Sequence, residues 1–276
     1  MLEKKITPDS IWTGSFILIG LANLFLFMNI QLLLPSLPVF ILSIGCEQRA
    51  IGLVMGAFTI AAMAMRPVAG LLLDRYERKT VLLAGIAVTL VVSTLYQFTL
   101  SLLLIVLIRL AHGAAYSIST TATGTIVSGL LPPGRLGEGM GYLGITSSIS
   151  MAVSPLIGLW LVEQAGFTYL FGASAVLALL ALGTGMLTGA GRTVSERPPA
   201  GKVRPGRFTL FEQQALPSAL VMCFLATVFG AFIFYISLLA AERGLTNIGL
   251  FFTSLALGMM LLRPFAGRWM DTKGAN

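Results

Sequence analysis

The sequence predicts an all-α integral membrane protein, and three observations carry that expectation. Of its 276 residues, 56% are hydrophobic and only 11% charged, where about a quarter of a soluble domain is charged. Mean hydropathy is +0.90, too apolar for any soluble surface to enclose. The apolar residues come in long runs rather than in alternation. That pattern selects helices over a closed β-barrel, the two architectures that satisfy their own backbone in hydrocarbon. At about 20 residues per span, the chain divides into a six-helix N-terminal bundle plus the first two helices of a second, repeated bundle.

The first helix is expected over 12–34. Met1–Lys5 has the charge of a signal-peptide n-region, yet the apolar stretch from Ile11 to Leu42 contains no A-x-A cleavage site, so it reads as an uncleaved helix. The helix stops, on this reading, at the proline pair Pro35 and Pro38. Asn23, Asn29 and Gln31 are its polar positions, and Asn23 and Gln31 fall near one face. Polar groups there bind substrate or tie helices together.

The second helix (50–72) runs into Gly70-Leu-Leu-Leu-Asp74-Arg75-Tyr-Glu77-Arg78-Lys79. Gly70 permits close backbone approach, and Asp74 stands among cations where the chain leaves the membrane. Such a carboxylate caps a neighbouring helix N-terminus or pairs with arginine, giving a latch that breaks and reforms. A third helix (80–99) and a fourth (102–127) come next. The fourth holds Arg109 between Ile108 and Leu110, where an unpaired cation costs several kcal/mol, so it must face a cavity or a partner. Gly113, Tyr116, Ser117, Thr120 and Gly124 continue at helical spacing as a small, hydroxylated stripe facing the bundle interior. His112, the only histidine, points about 60° from Arg109 at 100° per residue and reads as a hydrogen-bonded structural residue.

The fifth helix (139–162) is rich in small residues and reaches Ser154-Pro155-Leu-Ile-Gly158, where Pro155 permits a bend. Its Gly139-x-Gly141-x-x-Gly144 spells a dinucleotide fingerprint, but no strand precedes it. A sixth helix (167–189) closes the first domain, 1–189. Residues 190–212 form a basic linker, and within Gly189–Arg207 lie three Pro and five Arg/Lys. The second domain, 213–276, holds helices at 216–240, with Tyr235 as a cavity candidate, and at 247–269.

Residues 51–74 and 248–271 align without a gap at an offset of 197, with nine of 24 positions identical. The pattern Arg66-Pro67-x-Ala69-Gly70-x-x-x-Asp74 recurs as Arg263-Pro264-x-Ala266-Gly267-x-x-x-Asp271, a parallel duplication. With the N-terminus inside, 15 of the 18 basic residues fall on the cytoplasmic side. Both termini are therefore expected in the cytoplasm and the chain in the cell membrane. Because the cations lie in short clusters between spans, no nucleic-acid partner is expected despite a net charge of +7. Two distant cysteines predict no disulfide, and no cluster suggests a metal or cofactor. One histidine and few buried acids leave no enzyme constellation.

Six helices, a basic linker and the start of a second copy resemble the major facilitator superfamily. Gly70 to Lys79 is similar to that family's cytoplasmic signature between helices two and three, with Glu77 replacing a glycine. The resemblance implies a cytoplasmic gate of Gly70, Asp74, Arg75, Arg78 and Lys79, repeated at Gly267 and Asp271. Arg109-Leu-Ala-His112-Gly113 resembles the fourth-helix motif whose arginine is implicated in proton coupling. Ser154-Pro155-Leu-Ile-Gly158 resembles a weakened antiporter motif, marked by Pro155 and Gly158, and Pro35 with Pro38 resembles a feature of twelve-helix exporters. Asn23, Asn29, Gln31, Gly113, Tyr116, Thr120 and Tyr235 are then candidates for the substrate cavity. The function this resemblance implies is proton-coupled export of a small molecule, by alternating access in a lipid bilayer, with protons as coupling ion. Helices nine to twelve of the family pattern are missing from the 276 residues, so the alternative is a truncated, non-transporting membrane remnant.

Overall fold

In a computed structural model of the chain, residues 10–99, 101–132, 134–189, 216–228, 243 and 248–273 are described. The helices are α1 (Gly14–Ser43), α2 (Gln48–Arg75), α3 (Arg78–Leu95, extended by a 3-10 turn Tyr96–Phe98), α4 (Leu102–Leu130), α5 (Leu136–Ala165) and α6 (Phe167–Leu187). They are followed by α7 (Leu216–Val228) and α8 (Ile248–Lys273). Helices α1 to α6 are each long and apolar enough to cross a membrane, and the chain is a multi-pass membrane protein.

Local chemistry sets the ends. The Thr13 side chain accepts from Phe16 N at the start of α1, and Ser101 accepts from Leu104 N at the start of α4, each satisfying one orphan amide. A single residue, Gly166, joins α5 to α6. Its φ of +86° lies where side chains are strained, and its N–H closes α5 onto Leu161 O and Val162 O.

The expected end of the first helix is corrected: α1 continues through Pro35 and Pro38 to Ser43. Each proline removes one backbone donor, but leaving the helix inside hydrocarbon strands every following carbonyl and amide, which costs far more. The Ser36 hydroxyl donates to Leu32 O.

The chain divides into two compact units, Met1–Glu196 with Ala256–Asn276, and Arg197–Leu255. In the first, α2 packs on α4, α1 on α5 and α6, and α3 on α4 and α6. Two apolar clusters fill it, one around Phe16, Ile19, Leu26, Ile86 and Ile126, the other around Leu33, Leu37, Ile41, Tyr96 and Phe171. Along α1 they are separated by Asn29 and Ile30. The second unit contributes α7, an apolar helix with every residue exposed. The linker 190–212 and Tyr235 lie outside the described residues.

Candidate functional site

Three features of the first unit bear on function: a clasp at one end of the bundle, a polar cavity above it, and a buried polar knot with Arg109 beside it.

The clasp forms where α5 begins. The residue at its N-cap, Arg135, makes no side-chain cap bond, so the first amides of α5 are open to a partner. Asp271 of α8 supplies one: Oδ1 accepts from Gly137 N at 2.7 Å and Oδ2 from Glu138 N at 2.8 Å. A carboxylate there also meets the positive end of the helix dipole. The Glu138 side chain, 5% exposed, bridges Arg135 at 2.9 Å and Arg268 at 2.8 Å. Two turns further in, Arg263 donates to Gly144 O and to Ser147 Oγ. The helices touch backbone to backbone, because a Cβ on Gly267 would collide with Gly137 O.

The repeat mates of these residues behave differently. Arg66, Asp74 and Arg75 are exposed, and none has a hydrogen bond or ion pair among the described residues. A Cβ on Gly70 would meet nothing within 4 Å. Of the other expected gate residues, Arg78 donates to Thr125 O at 3.4 Å, and Lys79 to Met186 O and Thr188 O at 3.0 and 2.7 Å.

The cavity, about 470 Å³, is lined by Asn23 and Phe27 of α1, Arg66 of α2, Tyr116, Thr120, Thr121, Gly124 and Thr125 of α4, and Met140, Leu143, Gly144 and Ser147 of α5. Asn23 donates to Thr146 Oγ1 at 2.7 Å. Phe27 and Tyr116 meet edge to face at 5.7 Å. Asn23, Tyr116 and Thr120, cavity candidates by sequence, line this one. Gly113 does not; it lets α2 approach, since a Cβ there would collide with Phe58 O. Gln31 is half-buried and away from the lining.

Asn29 sits elsewhere, in the knot. Its Nδ2 donates toward Ser174 O, Ser174 Oγ and Ser93 Oγ at 2.7, 2.8 and 3.0 Å. A carbonyl only accepts, so the amide orientation is settled and Oδ1 faces His112 Nε2 at 3.0 Å. That nitrogen therefore carries a proton, and Nδ1 lies 3.4 Å from the Tyr96 hydroxyl. His112 thus links α1, α3, α4 and α6 through hydrogen bonds.

Arg109 is 1% exposed. Its Cζ lies 4.4 Å from the centre of the Phe58 ring, and Nη2 reaches Met55 Sδ at 3.8 Å, while Nε and Nη1 have no hydrogen-bond partner among the described residues. It faces α2, and no carboxylate among the described residues meets it. Within α5, Pro155 lies one turn before Gly158, whose Cβ position would fall 2.5 Å from Leu32 O on α1.

Sequence reasoning missed Glu138, Arg135, Arg263 and Arg268 as a clasp, Arg66 as a cavity residue, and Ser93, Tyr96 and Ser174 as members of the knot. The duplication held the signal for the clasp, since it aligned Arg66 and Asp74 with Arg263 and Asp271.

Residues 19–276 match the family model described as Major Facilitator Superfamily. The staphylopine export protein of Staphylococcus aureus is 26% identical over 84% of this chain and 59% of its own length. A multi-drug resistance efflux pump of Streptococcus pneumoniae is 27% identical over 58% of this chain and 41% of its own, and a quinolone resistance protein of Staphylococcus aureus is 24% identical over 57% and 42%. The chain thus spans 41 to 59% of the length of these relatives. Among solved structures, the human organic anion transporter MFSD10 superposes with a TM-score of 0.54 at 19% identity, over 63% of this chain and 47% of that one.

Proposed function

The chain belongs to the major facilitator superfamily, and from that premise we propose that it works as a proton-coupled exporter of a small molecule by alternating access. Family membership sets enzymes aside. The observation that carries the proposal is the clasp: Asp271, Glu138 and Arg263 join α8 to α5 beside a polar cavity. In the proposed cycle these bonds release and re-form as rigid helices rock. The positive-inside rule supports placing this end, and both termini, in the cytoplasm of a cell bounded by this membrane. Arg109, buried with no counter-charge among the described residues, is the proposed coupling residue. Gly70, Asp74, Arg75, Arg78 and Lys79 are the proposed counterpart of the clasp on α2, and Pro155 with Gly158 the pivot against α1. The site takes a small molecule, and helices beyond the eighth complete the cavity in an intact family member.

One observation favours a second reading, a membrane protein of this family that does not transport. The α2 face with Arg66, Gly70 and Asp74 has no partner among the described residues, whereas its repeat mate is docked. Proteoliposomes of the full chain decide between the two. Flux of dansylglycine or ethidium that follows an imposed pH gradient and disappears in Arg109→Ala supports transport; no gradient-driven flux of either dye selects the second reading.

A further inference from the structure

We propose that the cavity between α1, α2, α4 and α5 is selective for anions and takes a flat organic carboxylate or phosphate compound whose charge is met by Arg66. Its use as a substrate site rests on the transporter reading above. The binding preference itself rests on the lining.

Arg66 is the one charged side chain among the described lining residues. The hydroxyls of Thr120 and Thr121 donate to carbonyls of their own helix, at 2.8 Å to Tyr116 O and 2.7 Å to Ser117 O. Asn23 spends one of its two amide N–H donors on Thr146 Oγ1. The donors left for a ligand are the second Asn23 N–H, the Arg66 guanidinium and the Tyr116 hydroxyl, and the last two make no hydrogen bond among the described residues. Beside them, the rings of Phe27 and Tyr116 offer a surface for a flat apolar body. The volume of about 470 Å³ falls within the roughly 300–1,000 Å³ common for small-molecule sites.

The carboxylates are placed against a cation. No described Asp or Glu lines the cavity: Glu138 is taken by Arg135 and Arg268, and Asp271 by the start of α5. A cationic ligand would lose water, meet Arg66, and find no counter-charge. An anion finds a guanidinium fork suited to carboxylate and phosphate oxygens. Arg263, the repeat mate of Arg66, shows the competing use of such a residue, since its Nη1 donates to Gly144 O and Ser147 Oγ across the helix pair.

The test measures binding of two flat probes of opposite charge, dansylglycine and ethidium, to the full chain in phosphatidylcholine nanodiscs. The expected result is a dansylglycine Kd at least tenfold tighter than that of ethidium. Arg66→Gln should weaken dansylglycine at least tenfold, and Arg66→Lys less than Arg66→Gln. Ethidium binding as tightly as dansylglycine, or no saturable dansylglycine binding, overturns the proposal. Unchanged dansylglycine affinity in Arg66→Gln also overturns it, and a lowered Tm in that variant would then assign Arg66 to a helix clasp like that of Arg263. Competition by added phosphatidylglycerol, dependent on Arg66, supports an anion site and names a lipid headgroup as its occupant. Binding without gradient-driven flux leaves the anion site standing and ends the transporter reading; flux without dansylglycine binding does the reverse.

Discussion

Arg109 separates function from stability in a way few buried residues do. It holds a desolvated charge with no described carboxylate beside it, against the Phe58 ring and the Met55 thioether, with the neutral Tyr96 and the His112 ring near enough to interact with it. Replacing it with an apolar chain of similar length removes an electrostatic cost instead of a favourable pair. Arg109→Met is therefore expected to keep or raise the Tm in detergent while abolishing gradient-driven flux; a Tm fall of many degrees would show that the guanidinium is structural. The opposite holds for the knot. Asn29→Ala leaves the His112 Nε2–H without its acceptor in an apolar interior, at about 1–3 kcal/mol. His112→Leu together with Asn29→Leu should cost less than the sum of the single changes, read as a coupling energy in a double-mutant cycle. Arg109 and Asn29 were legible in the sequence as polar residues in apolar helices. Their surroundings were not, because Phe58 lies 51 residues from Arg109, and Ser93 and Ser174 lie 64 and 145 residues from Asn29. Helical periodicity says nothing about which neighbour a face will meet.

At the level of helices, the glycines decide which pairs close. Gly267 and Gly137 place two backbones in contact and bring Asp271 within reach of the α5 amides, whereas Gly70 stands in open space. Gly267→Leu and Asp271→Ala should each speed hydrogen exchange at the Gly137 and Glu138 amides at least tenfold, about what losing one charge-assisted bond of roughly 1.5–3 kcal/mol implies. Gly70→Leu should leave those amides unchanged, and faster exchange in that variant would mean that the two repeats are mechanically linked. The helices were legible because lipid admits so few alternatives to a helix. The α1 end was not: a proline pair signals termination only where water can take over the freed backbone groups. The clasp was half legible, since the duplication pointed to Asp271 but not to the helix it would cap.

For the whole molecule, orientation is the property the charges predict and chemistry can check. Both cysteines are free, with Cys46 half-buried between α1 and α2. In a Cys223→Ser background, a membrane-impermeant maleimide should label Cys46 in intact cells; labelling only after the cells are opened would invert the topology and move the clasp to the outside. The bundle was legible as six spans, yet its layering into two apolar clusters parted by a polar knot was not, because the knot joins four helices that no local pattern connects. That knot also has a history in time. The bonds of Asn29 span 64, 83 and 145 residues, so α6 must leave the ribosome before the last of them can form. At about 5–20 residues per second, α1 waits roughly 7 to 30 seconds in the bilayer with its amide only partly satisfied. The sixth helix to be synthesised is the one that seals the first.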